Sequence, residues 1–385
     1  MITVENKNKC CGCSACSQAC PVSCIQMIVD EEGFLYPSVD KDKCIGCNKC
    51  DKVCPIINNS KQSEDCITAY AAYSKSNELL EMSSSGAIFS EVALKILQDG
   101  GVVFGAAFDE NLMVKHIYIE SEEDLYKLQG SKYLQSVIGN TYKETEDFLK
   151  QGRKVLYVGT ACQIAGLKQY LSKNYDSLFT IDVLCHGTPS PFVWKKYLDS
   201  IKRGQGFGKI VKARFRLKKP NWQKYSLEFT SEDGNVIDQL YYENSYMKLF
   251  LGNLCLRPSC YSCSFKYLDR YSDITLGDCW GVENSLPEMF NDRGVSVVII
   301  HSENGVNVFN DIKNSLVYKE ENVDKLLPKS ADSRHSVKCP KNRKRFFEKF
   351  ARVDDINSLV KYTQTSALKK LYRRLMKKKE IVIKK

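Results

Sequence analysis

The sequence predicts an α/β protein (α+β overall) in three parts: a cysteine-rich N-terminal module, a mixed-sheet body and a basic helical tail. Three observations predict it. Cysteines crowd the first 60 of 385 positions in a doubled pattern. Across 66–350, period-2 apolar runs alternate with stretches of 3.6-residue periodicity, as in a mixed sheet with helices packed on it. Lysine and arginine then dominate the end of the chain.

The module is expected over 1–60, ahead of a polar joint at 58–64. It carries Cys10-x2-Cys13-x2-Cys16-x3-Cys20-Pro21 and then Cys44-x2-Cys47-x2-Cys50-x3-Cys54-Pro55. Each run matches the bacterial ferredoxin pattern for [4Fe–4S] clusters. Three thiolates spaced by two residues wrap three corners of one cube, and the fourth points to the partner cluster. Cys10, Cys13, Cys16 and Cys54 would hold one cluster, and Cys44, Cys47, Cys50 and Cys20 the other. Four-cysteine zinc sites also use C-x2-C pairs, but they do not need the third x2 step and the x3-C-P that both copies have. Cys11 and Cys24 fall outside the pattern and read as supporting or core residues.

In the body, strands are expected at 67–73, 102–108, 114–119, 154–158, 178–184, 210–217, 225–230, 236–242, 273–276 and 295–301. Helices are expected at 84–99, 141–151, 161–171, 191–202 and 306–313. Cys260-x2-Cys263 has ligand spacing, and Cys162 and Cys185 each follow a strand, where a parallel sheet gathers loops. Either four cysteines meet there as a third metal site, or several are small buried hydrophobes. Gly204-Gln-Gly206-Phe-Gly208 does not open a helix after a strand, so it is no dinucleotide fingerprint. Gly159-Thr160 and Ser83-Ser84-Ser85-Gly86 lead into helices, where phosphate binding and ordinary capping are both open.

The tail, 351–385, is expected to be helical. From Lys361 to Lys385 there are ten basic residues and one acid, which accounts for nearly all of the net +10. The main body is therefore near neutral, and no nucleic-acid partner is implied. Leu368, Leu371, Tyr372, Leu375 and Met376 share one face. Peripheral membrane contact, docking of an acidic partner and a solvated helix all fit that face. No apolar run is long enough to span a bilayer, and no signal-peptide pattern is visible, so a soluble cytoplasmic protein is expected. The tight x2 and x3 cysteine spacings point to metal rather than disulfides and to a reducing compartment.

Several stretches together resemble one family. They are Ser84-Ser85-Gly86, Gly130-Ser131-Lys132-Tyr133, Gly159-Thr160-Ala161-Cys162 through Leu167, Cys185-His186-Gly187-Thr188-Pro189-Ser190, Arg257-Pro258-Ser259-Cys260-Tyr261-Ser262-Cys263 and Asp273 through Gly281. In this order they resemble the coenzyme F-420 hydrogenase/dehydrogenase beta-subunit family over roughly 5–350, with the ferredoxin module in front. The resemblance implies an FAD-binding α/β domain with a third [4Fe–4S] cluster near the flavin, on Cys162, Cys185, Cys260 and Cys263. Cys255 is held in reserve, and Cys279 is set aside because an aromatic residue usually stands there. Ala161 departs from the usual Pro.

The same resemblance places the flavin among Ser84, Ser85, Gly86, Ser131, Lys132, Tyr133, Gly159, Thr160, His186 and Gly187. Lys132 is either a partner of phosphate or reduced flavin, or a surface lysine. His186 is either a proton donor in catalysis or a loop-fixing residue. The expected function is an iron–sulfur flavoprotein oxidoreductase. Electrons would pass between ferredoxin-type clusters and FAD, with hydride-type transfer to or from an organic small molecule or a deazaflavin. A soluble ferredoxin or other redox protein would be the partner. The alternative is an electron-transfer subunit that feeds a partner enzyme, as in cell-surface polysaccharide metabolism. S-Adenosylmethionine radical chemistry is not implied, because no C-x3-C-x2-C triplet occurs.

Overall fold

A computed structural model describes residues 1–59, 68–205 and 207–363. The doubled cysteine pattern folds twice in the same way. Gly12 and Gly46 both take positive φ (73° and 68°), and so do Ser14 and Asn48 (63° and 55°). Each pair of left-handed residues turns the chain into one short helix, Ala15–Gln18 or Lys49–Lys52. Between the copies lies an antiparallel hairpin, β1 (Ile25–Val29) and β2 (Leu35–Val39), with Ile25 opposite Val39. Ile2, Cys16, Cys20, Cys24, Ile25 and Cys50 form the module's small core.

The body is built on an eight-stranded sheet. Its strands are β3 (Thr68–Ser74), β4 (Val102–Phe108), β5 (Val114–Ile119), β6 (Val155–Thr160) and β7 (Leu178–Val183), then β11 (Ile274–Asp278), β12 (Ser296–Ile300) and β13 (Leu316–Glu320). The spatial order is β13-β3-β12-β11-β7-β6-β4-β5. Strands β4, β6, β7 and β11 pair in parallel, and the outer strands are antiparallel. Four carboxyl ends therefore lie side by side at the sheet's centre, where loops of an α/β fold converge. A separate antiparallel sheet holds β8 (Ile210–Leu217), β9 (Ser226–Ser231) and β10 (Val236–Leu240). It packs with the helices Pro191–Gln205 and Ser245–Leu251 around Trp194, Phe215 and Tyr246.

Three expectations shift. The helix expected from 84 begins at Ile88, and 84–87 is a loop. Gly86 is the reason. Its amide donates to Ser296 Oγ at 2.9 Å, and a Cβ there would meet Ala72 O at 2.4 Å, so the segment is tied flat against the sheet. The helix expected to end at 202 runs on to Gln205 and takes in Gly204, while Gly206 lies outside the described residues. The tail expected from 351 starts later, because 356–363 is a 3₁₀ segment whose Ile356 and Leu359 are buried in the body's core. The amphipathic face from Leu368 onward lies outside the described residues.

The module docks on the body through polar as well as apolar contacts. Gln18 Oε1 accepts from the amides of Tyr142 (3.0 Å) and Lys143 (3.3 Å), in the first turn of the helix Thr141–Lys150. Arg343 forms a two-pronged ion pair with Glu32.

Candidate functional site

The eight patterned cysteines separate into two groups. Cys20, Cys44, Cys47 and Cys50 line one cavity, together with Cys24 and Ile45. This is the outer group, since Cys47 is exposed. Cys16 lies in the field of Cys10 and Cys54, and its thiol is pushed up to about 12, chiefly by burial. Cys13 faces the body, against Gly166 of the helix Ala161–Leu171. Cys20 thus sits with Cys44, Cys47 and Cys50, and Cys54 lies near Cys10 and Cys16. Cys24 touches Cys20, Sγ to Sγ, at 3.4 Å.

The body's four candidates also come together. Cys162 opens the helix after β6, Cys185 follows β7, and Cys260 and Cys263 lie on and just after the 3₁₀ turn Pro258–Ser262. Burial raises Cys260 to about 12, with Cys185, Cys263 and Cys162 adding to the rise. Cys185 is pushed to about 11, again chiefly by burial. Thiols at such values are protonated at neutral pH, and a bound metal would displace those protons. Polar groups surround the sulfurs, two of them amide donors. Thr188 N lies 3.3 Å from Cys260 Sγ, Phe265 N 3.4 Å from Cys263 Sγ and Thr160 Oγ1 3.2 Å from Cys162 Sγ. Such donors favour sulfur as thiolate.

Among the described residues, no three of His, Cys, Asp or Glu converge closely enough to hold a single ion. Cys255 lies elsewhere, fully buried among Leu254, Leu256 and Tyr246, because an apolar core takes a small thiol readily. Cys279 is likewise buried in an apolar cluster, and Cys339 is exposed.

Two residues at this junction gave no sequence signal. Cys11, read as surplus to the pattern, reaches both Cys13 and Cys162, so one thiol joins the module to the body's cysteine set. Arg257, noted only as part of a motif, is 1% exposed and bonds to Cys10 O at 2.8 Å.

The remaining candidate loops meet at the same carboxyl ends. Ser84 Oγ accepts from Ser131 N (2.7 Å) and from Ser131 Oγ (2.9 Å). Arg216, absent from the sequence-based set, donates to Ser84 O at 3.2 Å and grips both Asp278 oxygens at 3.1 Å. Its guanidinium lies between the rings of Tyr225 (4.3 Å) and Trp280 (5.2 Å), and Tyr133 adjoins it. Arg216 Nε has no hydrogen-bond partner among the described residues.

Lys132 is not a free surface lysine. It is partly buried, and its ammonium donates to the carbonyls of Leu128 (3.3 Å), Gln129 (3.0 Å) and Gly130 (3.2 Å), while burial pushes it down to about 7. At Gly159-Thr160 the helix start is closed from within. Gln163 Oε1 accepts from Thr160 N at 2.8 Å, which is capping rather than an open phosphate cradle. His186 Nε2 meets Asn253 Oδ1 at 2.6 Å, with the ring edge-on to Phe250, an arrangement that fixes the loop. Gly187 lies against Leu256 and Cys260, and Ser85 Oγ donates to Val295 O.

A cysteine-rich module thus docks on a mixed-sheet body, with a further set of thiols at the parallel strand ends. Residues 152–325 match the family model that describes the C terminus of the beta subunit of coenzyme F420 hydrogenase/dehydrogenase. The chain is also 24% identical over 356 residues to an uncharacterized protein of Methanocaldococcus jannaschii, covering 83% of this chain and 91% of the relative. Among solved structures, a chain of the F420-reducing [NiFe] hydrogenase complex from Methanosarcina barkeri is similar at a TM-score of 0.46 and 16% identity, covering 79% of this chain and 93% of that one. No described helix is long and apolar enough to cross a membrane.

Proposed function

We propose that the chain is an iron–sulfur flavoprotein oxidoreductase that exchanges electrons with a redox partner at its N-terminal module and reduces or oxidises a small organic molecule at the body's strand ends. The observation that carries this reading is the continuous line of thiols. It runs from exposed Cys47 through the inner group of Cys10, Cys13, Cys16 and Cys54, across Cys11, to Cys162.

When bound, the clusters would supply single-electron transfer and the flavin would convert it to two-electron chemistry. The chain's own residues have separable duties. Cys10, Cys13, Cys16 and Cys54, then Cys20, Cys44, Cys47 and Cys50, and then Cys162, Cys185, Cys260 and Cys263 supply twelve thiolates, four to each of three [4Fe–4S] clusters. Arg216 brings positive charge beside Ser84 and Ser131, which suits an anionic group of the flavin, and Lys132 ties down the turn that carries Ser131. Tyr133, Trp280 and Tyr225 supply aromatic surface near a planar ring. His186 orients the loop that carries Cys185.

The test is an anaerobic titration of the purified full chain with a chemically reduced bacterial ferredoxin. Bleaching of both cluster and flavin absorbance, followed by reoxidation on adding a deazaflavin or another organic acceptor, is the expected result. A protein whose clusters reduce but which passes electrons only to a co-purifying enzyme would establish the alternative of an electron-transfer subunit.

A further inference from the structure

The inner thiol group differs from the outer one in its charged surroundings, and Arg257 makes the difference. Its guanidinium is enclosed by the Cys10–Cys13 loop, β2 and the body. Nε donates to Cys10 O at 2.8 Å, Nη1 to Gln135 Oε1 at 3.0 Å and Nη2 to Leu35 O at 2.8 Å. Nη2 also lies 3.6 Å from Cys10 Sγ. The plane rests over the Tyr36 ring at 4.2 Å. The loop is shaped around this group. Gly12 sits at φ 73°, and a Cβ there would come within 2.8 Å of Arg257 Nη1.

A buried charge needs a counter-charge. Among the described residues no carboxylate forms an ion pair with Arg257, while Cys10 Sγ lies in hydrogen-bond range and Cys162 also feels its field. Among the described residues the outer group has no buried cation without a carboxylate: the Met1 ammonium, within the field of Cys44 and Cys50, pairs with Asp51 at 2.8 Å and is partly exposed, and the N–H donor to Cys50 Sγ (3.3 Å) is the neutral amide of Ile2. Lys43, beside the same group, pairs with Asp40 at 3.0 Å and is 70% exposed, where water and salt screen it.

We propose that Arg257 is a positioning residue that raises the reduction potential of the inner cluster above that of the outer one, so that electrons arriving at the exposed edge are drawn inward. This inference rests on the cluster reading above. The physics is direct. Reduction adds one negative charge to a cluster, and a fixed cation at hydrogen-bond distance from a ligand sulfur stabilises the reduced state. The N–H···S contact acts in the same direction.

The experiment is an EPR-monitored redox titration, with dithionite, of the anaerobically purified full chain. Iron is counted in every sample, and Cys47→Ser identifies the outer cluster's signal by altering it. The wild-type inner cluster is expected to reduce at the higher potential. In Arg257→Gln its midpoint is expected to move negative, with the outer midpoint unmoved, and in Arg257→Lys by less. An inner midpoint at or below the outer one in wild type overturns the inference, even where Arg257→Gln fails to fold. Full iron content with unmoved midpoints in both variants also overturns it and leaves Arg257 a packing residue. Wild-type protein that holds no iron would instead defeat the cluster reading itself.

Discussion

Cys162 stands where three influences meet: the first turn of a helix, the hydroxyl of Thr160 and the thiol of Cys11. If it and Cys185 are ligands, replacing either with Ala should remove about four irons per chain and leave about eight in the module. Iron analysis with visible absorbance checks this, and unchanged iron would return both to the class of buried hydrophobes. Lys132 gives a pH prediction. Burial holds it at about 7, below an ordinary lysine. Between about pH 7 and the ordinary lysine value near 10.4, the unfolded chain binds more protons at this position than the folded one. Its contribution to stability therefore rises with pH across that window. The melting temperature of wild type relative to Lys132→Met should climb as pH rises from 7 to 10, and a parallel pair of curves would contradict the assignment. The grouping of the module's cysteines was readable at this scale, since the doubled run pairs Cys20 with Cys44, Cys47 and Cys50. Arg257 and Cys11 were not readable, because their roles depend on the docking of two segments far apart in sequence.

Within single elements, the helix Ala161–Leu171 has two tasks: its first turn presents Cys162 and its middle seats the module. Gly166 permits the second task, as a Cβ there would come within 2.8 Å of Cys13 Cβ and 3.0 Å of Tyr142 Oη. Gly166→Ala should cost about 1–3 kcal/mol through overpacking and should perturb the inner cluster's EPR signal before the outer one's. An unaltered signal would mean the module is not seated there. The segment 356–363 belongs to the body by the same kind of argument. Leu359→Ala, at a buried position, should cost about 2–4 kcal/mol in denaturant unfolding. Element positions were legible because the apolar run of β4 and the 3.6-residue period of the helix Thr141–Lys150 were each sustained over five residues or more. The loop 84–87 was misread because its hold on the sheet comes from Ser296 and Val295, which no local pattern displays. Strand β13 escaped notice because it is short, with exposed polar residues at its end.

For the whole molecule, metal and fold should be coupled unevenly. The module's core is small and largely cysteine, whereas the sheet is packed by aliphatic side chains on both faces. Removing iron with a chelator should therefore unlock amides in residues 1–59 and near the turn Pro258–Ser262, while β4, β6, β7 and β12 keep their protection. Hydrogen exchange checks this, and uniform loss across the sheet would contradict it. The order of the central strands and the seating of the module are properties of long-range packing, which is why the α/β class was legible and the strand order was not.

Metal and flavin content per chain, measured on anaerobically purified protein, tests the central claim most directly. The account predicts about twelve irons with one flavin, from three four-thiolate groups and one site at the strand ends. About eight irons with no flavin, or zinc in place of iron, would contradict it and leave a cysteine module on a body without redox chemistry of its own.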